Sequence, residues 1–74
     1  MAKKIGYTKH ALQRIMDHDL TLNEVEVTIL EGEKLVEGKT KTRYTRRTRR
    51  GVIVAICSED PESVTVITVT LGGM

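Results

Sequence analysis

Apolar residues recur at intervals of three and four through the first thirty positions and at intervals of two after that, which predicts helices followed by strands. Thr8 stands as an N-cap before Ala11, Leu12, Ile15 and Met16, whose spacing makes one apolar stripe on a helix of about residues 9–18. Thr21 followed by Glu24 forms a capping box. Leu22, Val25, Ile29 and Leu30 then supply the inward face of a second helix, and Gly32 stops it. Val25, Val27, Thr28 and Ile29 lower the intrinsic helicity of this segment, but the cap and the stop agree on a helix.

Beyond Gly32, "EKLVEG" predicts a short strand and "KTKTRYTRR" a longer polar one. "RRG" makes a turn, "VIVAICS" a buried strand, "EDPES" a loop and "VTVITVTL" the last strand. Ile5–Tyr7 could add a short leading strand. The predicted fold is one α+β domain over residues 1–74, with two N-terminal helices packed on one face of a twisted antiparallel sheet of about four strands. In the last strand Ile67, Val69 and Leu71 face one way and Val66, Thr68 and Thr70 the other, so Thr68 is expected to look away from the helices. Val52, Val54 and Ile56 alternate with Ile53, Ala55 and Cys57, which predicts a central strand covered in part on both faces.

Composition narrows the classes. The chain has 74 residues, two Tyr and no Trp or Phe, so its core must come from aliphatic side chains. The composition also argues against a binder that stacks several bases on aromatic platforms. The single Cys57 excludes an internal disulfide and a Cys-based metal site, and its place in "VIVAIC" makes it a buried thiol. One unpaired Cys, no signal-like start and no apolar run of membrane length point to a cytoplasmic protein.

The formal net charge of +2 hides a segregation. Residues 17–37 hold seven acids and one base, whereas residues 39–50 hold seven bases and no acid. The segment "KTKTRYTRRTRRG" offers no aliphatic face to a core. As a strand it puts Lys39, Lys41, Arg43, Arg47 and Arg49 on one side, and Tyr44, Arg46 and Arg50 on the other. One or two charges protect a sheet edge; seven without a compensating acid repel one another, and a polyanionic partner explains them better. The bias toward Arg favours bidentate phosphate contacts.

His10 and Arg14, four apart on the first helix, share a face near its N-terminus, where free N–H groups favour an anion. Arg14 could clamp a phosphate there while His10 moves protons. Tyr44 could stack on one base or act as a second proton-transfer group if neighbouring Arg lowered its pKa. Thr68 and Thr70 offer outward hydroxyls. His18 between Asp17 and Asp19 lacks further His or Cys to complete a metal site, so neither metal nor cofactor is expected.

Together, "YTKHALQRI", a second capped helix, a basic strand, "VIVAI" and a terminal "VITVTL" resemble a family of small bacterial and archaeal domains long catalogued as of unknown function. That family reads as (t)-x-H-A-x-x-R in its first helix and v-I-T-V in its last strand. It is grouped with BrnT- and RelE-like toxins and the wider barnase/EndoU/colicin/RelE ribonuclease fold. The resemblance implies a RelE-like α+β fold and metal-independent cleavage of RNA. It implies His10 as a proton-transfer group, Arg14 as phosphate clamp, Arg43 or Arg47 stabilising the transition state, and Thr68 bonding a phosphate oxygen. The family's first helix often ends in Arg-Gly, where this chain has "DHDL". The rival expectation is a non-catalytic module that binds RNA or an acidic, antitoxin-like protein through residues 39–50. A homodimer is a third, with the basic strand as a pairing edge or with residues 17–37 meeting the basic strand of a second copy head to tail.

Overall fold

The computed structural model describes residues 4–73. Strand β1 (Lys4–Tyr7) leads into helices α1 (Lys9–Asp17) and α2 (Leu22–Glu31), followed by β2 (Glu33–Val36), β3 (Lys41–Thr48), β4 (Gly51–Glu59) and β5 (Ser63–Gly72). The strands form one sheet in the order β1-β5-β4-β3-β2. The fold is α+β as expected, but the sheet has five strands among the described residues and is mixed. β1 runs parallel to β5, pairing Lys4 with Ser63 through Tyr7 with Val66. The remaining pairs are antiparallel.

Both caps form as the spacing predicts. The Thr8 side chain accepts from the Ala11 N–H, and Thr21 and Glu24 make the reciprocal capping box. Gly32 ends α2 with its N–H on the Thr28 carbonyl. Its backbone is extended (φ −76°), so its glycine is required by space: a Cβ would overlap the Thr28 carbonyl oxygen and crowd that of Thr45. Between the helices, Asp19 takes the left-handed conformation (φ 54°) that reverses the chain.

The helices cover one face of the sheet, and the core lies between them. Ala11 and Ile15 of α1, Val25 and Ile29 of α2, and Leu20 between the helices pack with Ile53, Ala55, Cys57, Val64, Val66 and Val69. The apolar stripes are wider than this contact uses. Leu12 and Met16 of α1, and Leu22 and Leu30 of α2, are exposed rather than inward, while Thr28 is fully buried. α1 meets β5, and α2 meets β3 and β4, so each helix turns only the middle of its stripe onto strand and leaves the flanks of the stripe outside the contact. Thr28 satisfies its hydroxyl on the Glu24 carbonyl one turn back, which lets a polar residue fill an inward site.

Two strand expectations are corrected. Cover on β4 is one-sided: Ile53, Ala55 and Cys57 are buried under the helices, whereas Val52, Val54 and Ile56 are half-buried on the open face. In β5 a bulge breaks the simple alternation. Cys57 pairs with Val66 and Ile56 with Thr68, so Ile67 is the extra residue. The bulge lets Val66 and Val69 both face the core while Thr68 keeps its expected outward side. The basic strand is also not an edge, because β3 lies between β2 and β4. Nor does it lack a core-facing side: Thr42 and Tyr44 are buried.

The β3–β4 turn closes on Gly51, whose φ of +137° excludes ordinary side chains and whose added Cβ would overlap the Gly72 carbonyl oxygen. Gly51→Ala should therefore cost about 1–3 kcal/mol in urea unfolding. Gly6→Ala, where a Cβ meets nothing within 4 Å, should change stability little; equal losses in both would contradict this reading of the turn.

Candidate nucleic-acid interface

The open face of the sheet is built from alternate residues of each strand. Register aligns Leu35, Arg43, Ile56 and Thr68 in one row across it, and Thr45, Val54 and Thr70 in the next. Lys41 aligns with Ser58 and Thr65, and Arg47 with Val52. The face therefore carries three parallel bands: cations on β3, aliphatics on β4 and hydroxyls on β5. Strands lie about 4.8 Å apart, so Arg43 and Thr68 stand roughly 10 Å apart with Ile56 between them.

The seven bases of residues 39–50 divide by side. Lys41, Arg43 and Arg47 are exposed on the open face, and Lys39 and Arg49 are exposed in the turns at either end of β3. Arg46 and Arg50 turn toward the helices. Arg46 Nε lies 3.5 Å from Thr28 Oγ1, and Arg50 donates to the His18 carbonyl at 2.9 Å and approaches Glu24 at 3.6 Å. The expectation of no compensating acid is corrected, because Arg43 Nε also lies 3.3 Å from Glu37. Lys41, Arg47, Lys39 and Arg49 make no ion pair among the described residues.

His10 and Arg14 belong to α1, which packs along β5 on the covered side. Thr8 fixes the start of that helix. Its N–H donates to the Val66 carbonyl at 3.1 Å and its hydroxyl to the Ile67 carbonyl at 3.0 Å. The first turn of α1 thus sits where β1 ends and the outer edge of β5 becomes free, since β1 pairs only with Ser63–Val66. His10 is exposed at this point. Arg14 is half-buried, and its buried Nε has no hydrogen-bond partner among the described residues. Arg43 and Thr68 share the open face, and His10 and Arg14 share a helix beside the strand that carries Thr68. The two pairs therefore lie on opposite sides of the sheet, with the free edge of β5 between them.

Tyr44 belongs to neither group, which corrects its expected place. It lies on the covered face, where its hydroxyl donates to Glu59 Oε1. Lys34 Nζ sits 3.1 Å from Glu59 Oε2 and 5.9 Å from the centre of the Tyr44 ring. Burial first, and then the hydrogen bond to Glu59, push the Tyr44 pKa well up. Lowering by neighbouring Arg, which proton transfer would need, does not occur. Glu59, Glu24, Glu37 and Thr28 are the partners that sequence reasoning missed. Strand parity carried the signal for one of them, since Tyr44 faces Ala55 in the hairpin and Glu59 lies on the same side four residues on. Cys57 is buried as expected.

Among the described residues, no group of three or more His, Cys, Asp or Glu is arranged to hold a metal ion, and no helix is long and apolar enough to cross a membrane. Residues 7–70 match the family described as "Domain of unknown function (DUF4258)". The chain belongs to the DUF4258 family. The match spans α1 through most of β5, and so takes in His10, Arg14, the basic strand and Thr68. No curated protein and no solved structure matches the chain. The DUF4258 description assigns no activity, so any function must be argued from the site.

Tyr44→Phe removes a hydrogen bond to a charged group and should cost about 1.5–3 kcal/mol of stability in urea denaturation. An unchanged stability would contradict the place of Tyr44 in the covered cluster. Burial, with the Glu59 carboxylate second, pushes the Cys57 thiol from 9.0 up to about 12. The unfolded thiol ionises first, so this contribution to stability is complete below pH 9 and is lost as pH rises toward 12. The unfolding free energy from urea titrations should fall through that window with a slope approaching about 1.4 kcal/mol per pH unit, steepened above pH 10 by Tyr44. Cys57→Ala should flatten the fall between pH 9 and 10; an unchanged profile contradicts the assignment.

Proposed function

We propose that the protein is a cytoplasmic, metal-independent endoribonuclease of the RelE/BrnT toxin type, which binds RNA along the open sheet face and cuts it at the free edge of β5. The observation that carries this reading is the double hold of Thr8 on Val66 and Ile67. It sets His10 and Arg14 beside the strand whose next residue is Thr68. Arg43 lies in the same row as Thr68, and Lys41, Arg47 and Arg49 extend the positive surface.

The chemistry needs a proton acceptor, a phosphate clamp and positive charge for the phosphorane. His10 accepts the proton of the ribose 2′-hydroxyl. The 2′-oxygen bonds to phosphorus, the bond from phosphorus to the 5′-oxygen breaks, and that oxygen takes a proton from the imidazolium or from water. The product is a 2′,3′-cyclic phosphate and a free 5′-hydroxyl. The Arg14 guanidinium holds the non-bridging oxygens, and the Thr68 hydroxyl donates to one of them.

The burial of Tyr44 favours a second reading. With Tyr44 committed to Glu59, His10 alone remains of the proposed proton-transfer groups, as a binding module without turnover would allow. An acidic, antitoxin-like protein would then occupy the same cations in place of RNA.

Incubation of the protein with total RNA in EDTA should give cleavage, and His10→Ala should abolish it while leaving binding within about twofold. Binding without cleavage would decide for the module. Four phosphate contacts from Lys41, Arg43, Arg47 and Arg49 should give a log–log salt slope of about −3. Lys41→Ala with Arg47→Ala should reduce it to about −1.5; an unchanged slope would place the RNA elsewhere.

A further inference from the structure

The two broad surfaces of the molecule are each apolar at the centre and carry opposite charge. On the helix side, Leu12, Met16 and Leu22 are exposed, Met16 at 73%. The same layer exposes the acids Asp17, Asp19, Glu26 and Glu31, outside any ion pair among the described residues, against one exposed Lys or Arg, Lys9. On the sheet side, Val52, Val54 and Ile56 form the half-buried aliphatic band, flanked by Lys41, Arg47 and the Glu37-paired Arg43, with Glu33 opposite Thr45 as the exposed acid of this face. No element of the described chain covers either surface. Leu12 and Met16, four apart, share one face of α1, and apolar side chains that are exposed together mark a contact surface where single ones do not. The sign of the surrounding charge selects the partner.

We propose that the helix layer of one copy docks on the open sheet face of the next, head to tail. One copy supplies both halves of the match: Asp17, Asp19 and Glu26 meet Lys41 and Arg47, while Met16 and Leu22 cover the Val52–Val54–Ile56 band. With extents of 31 × 23 × 23 Å, the broadest face spans roughly 700 Å², below the ~800 Å² per partner of a standard interface but above the ~500 Å² per partner at the low end, which fits a weak, concentration-dependent contact. The contact is heterologous, so each added copy leaves one free face at either end, and mass grows with concentration until a ring closes. Leu12, Met16 and Leu22, which the spacing marks as core, then find their apolar cover between copies. The inference rests on these two surfaces and not on the RNA reading.

Sedimentation of the protein without RNA tests it, and the absence of RNA keeps the two readings separable. At low ionic strength the mean mass should rise above that of the monomer with concentration, and salt should lower it. Two variants block one face each: Met16→Gln with Glu26→Lys on the helices, and Lys41→Glu with Arg47→Glu on the sheet. All four positions are exposed, and circular dichroism confirms folding. Each variant alone should sediment as a monomer, and their equimolar mixture as a one-to-one dimer that grows no further. Wild type that stays monomeric in low salt, a variant that still assembles alone, or a mixture that stays monomeric would each overturn the proposal.

Discussion

Everything in this molecule depends on a sheet that is covered on one side only. With helices on a single face, alternation along each strand sorts residues into core and surface, and β3 shows the result most sharply. Thr42 and Tyr44 are buried, and Lys41, Arg43 and Arg47 stand on the opposite side. A one-residue slip of β3 would bury those cations and expose Tyr44. The hydrogen bond of Tyr44 to Glu59, with Lys34 closing over both, holds the strand to its register. The charge presented outward thus rests on a polar cluster within the covered side.

A second constraint acts at the other edge. The bulge at Ile67 allows β5 to bury Val66 and Val69 and still turn Thr68 outward. It also leaves the carbonyls of Val66 and Ile67 to accept from Thr8. One irregular residue therefore fixes the start of α1 against the strand, and with it the position of His10 and Arg14. The candidate site is a junction of helix start, free strand edge and open face, and not a cavity.

Legibility in the sequence followed the range of the interactions. The caps at Thr8 and Thr21 and the stop at Gly32 are settled by groups within four residues, and they were readable. The side taken by each cation of β3 was readable for the same reason. The parallel pairing of β1 with β5 joins residues about sixty apart, and four residues of β1 carry no signal of their partner. The width of the helix stripes misled, because spacing shows which side chains share a face but not how much strand lies beneath it. Leu12, Met16, Leu22 and Leu30 are the outcome. The charged neighbours of Tyr44 hide its place in the core, yet period two separates it from Arg43 and puts it on the covered side.

We propose that RNA meets the open face of the sheet and the start of α1. Methyl and amide spectra recorded during titration with a short single-stranded RNA test it most directly. The account predicts shifts at Val52, Val54, Ile56 and Thr68 and at His10, with the buried Val25 and Val69 unmoved. Shifts gathered on the exposed helix surface around Leu12, Met16 and Leu22, with a silent sheet face, would contradict it.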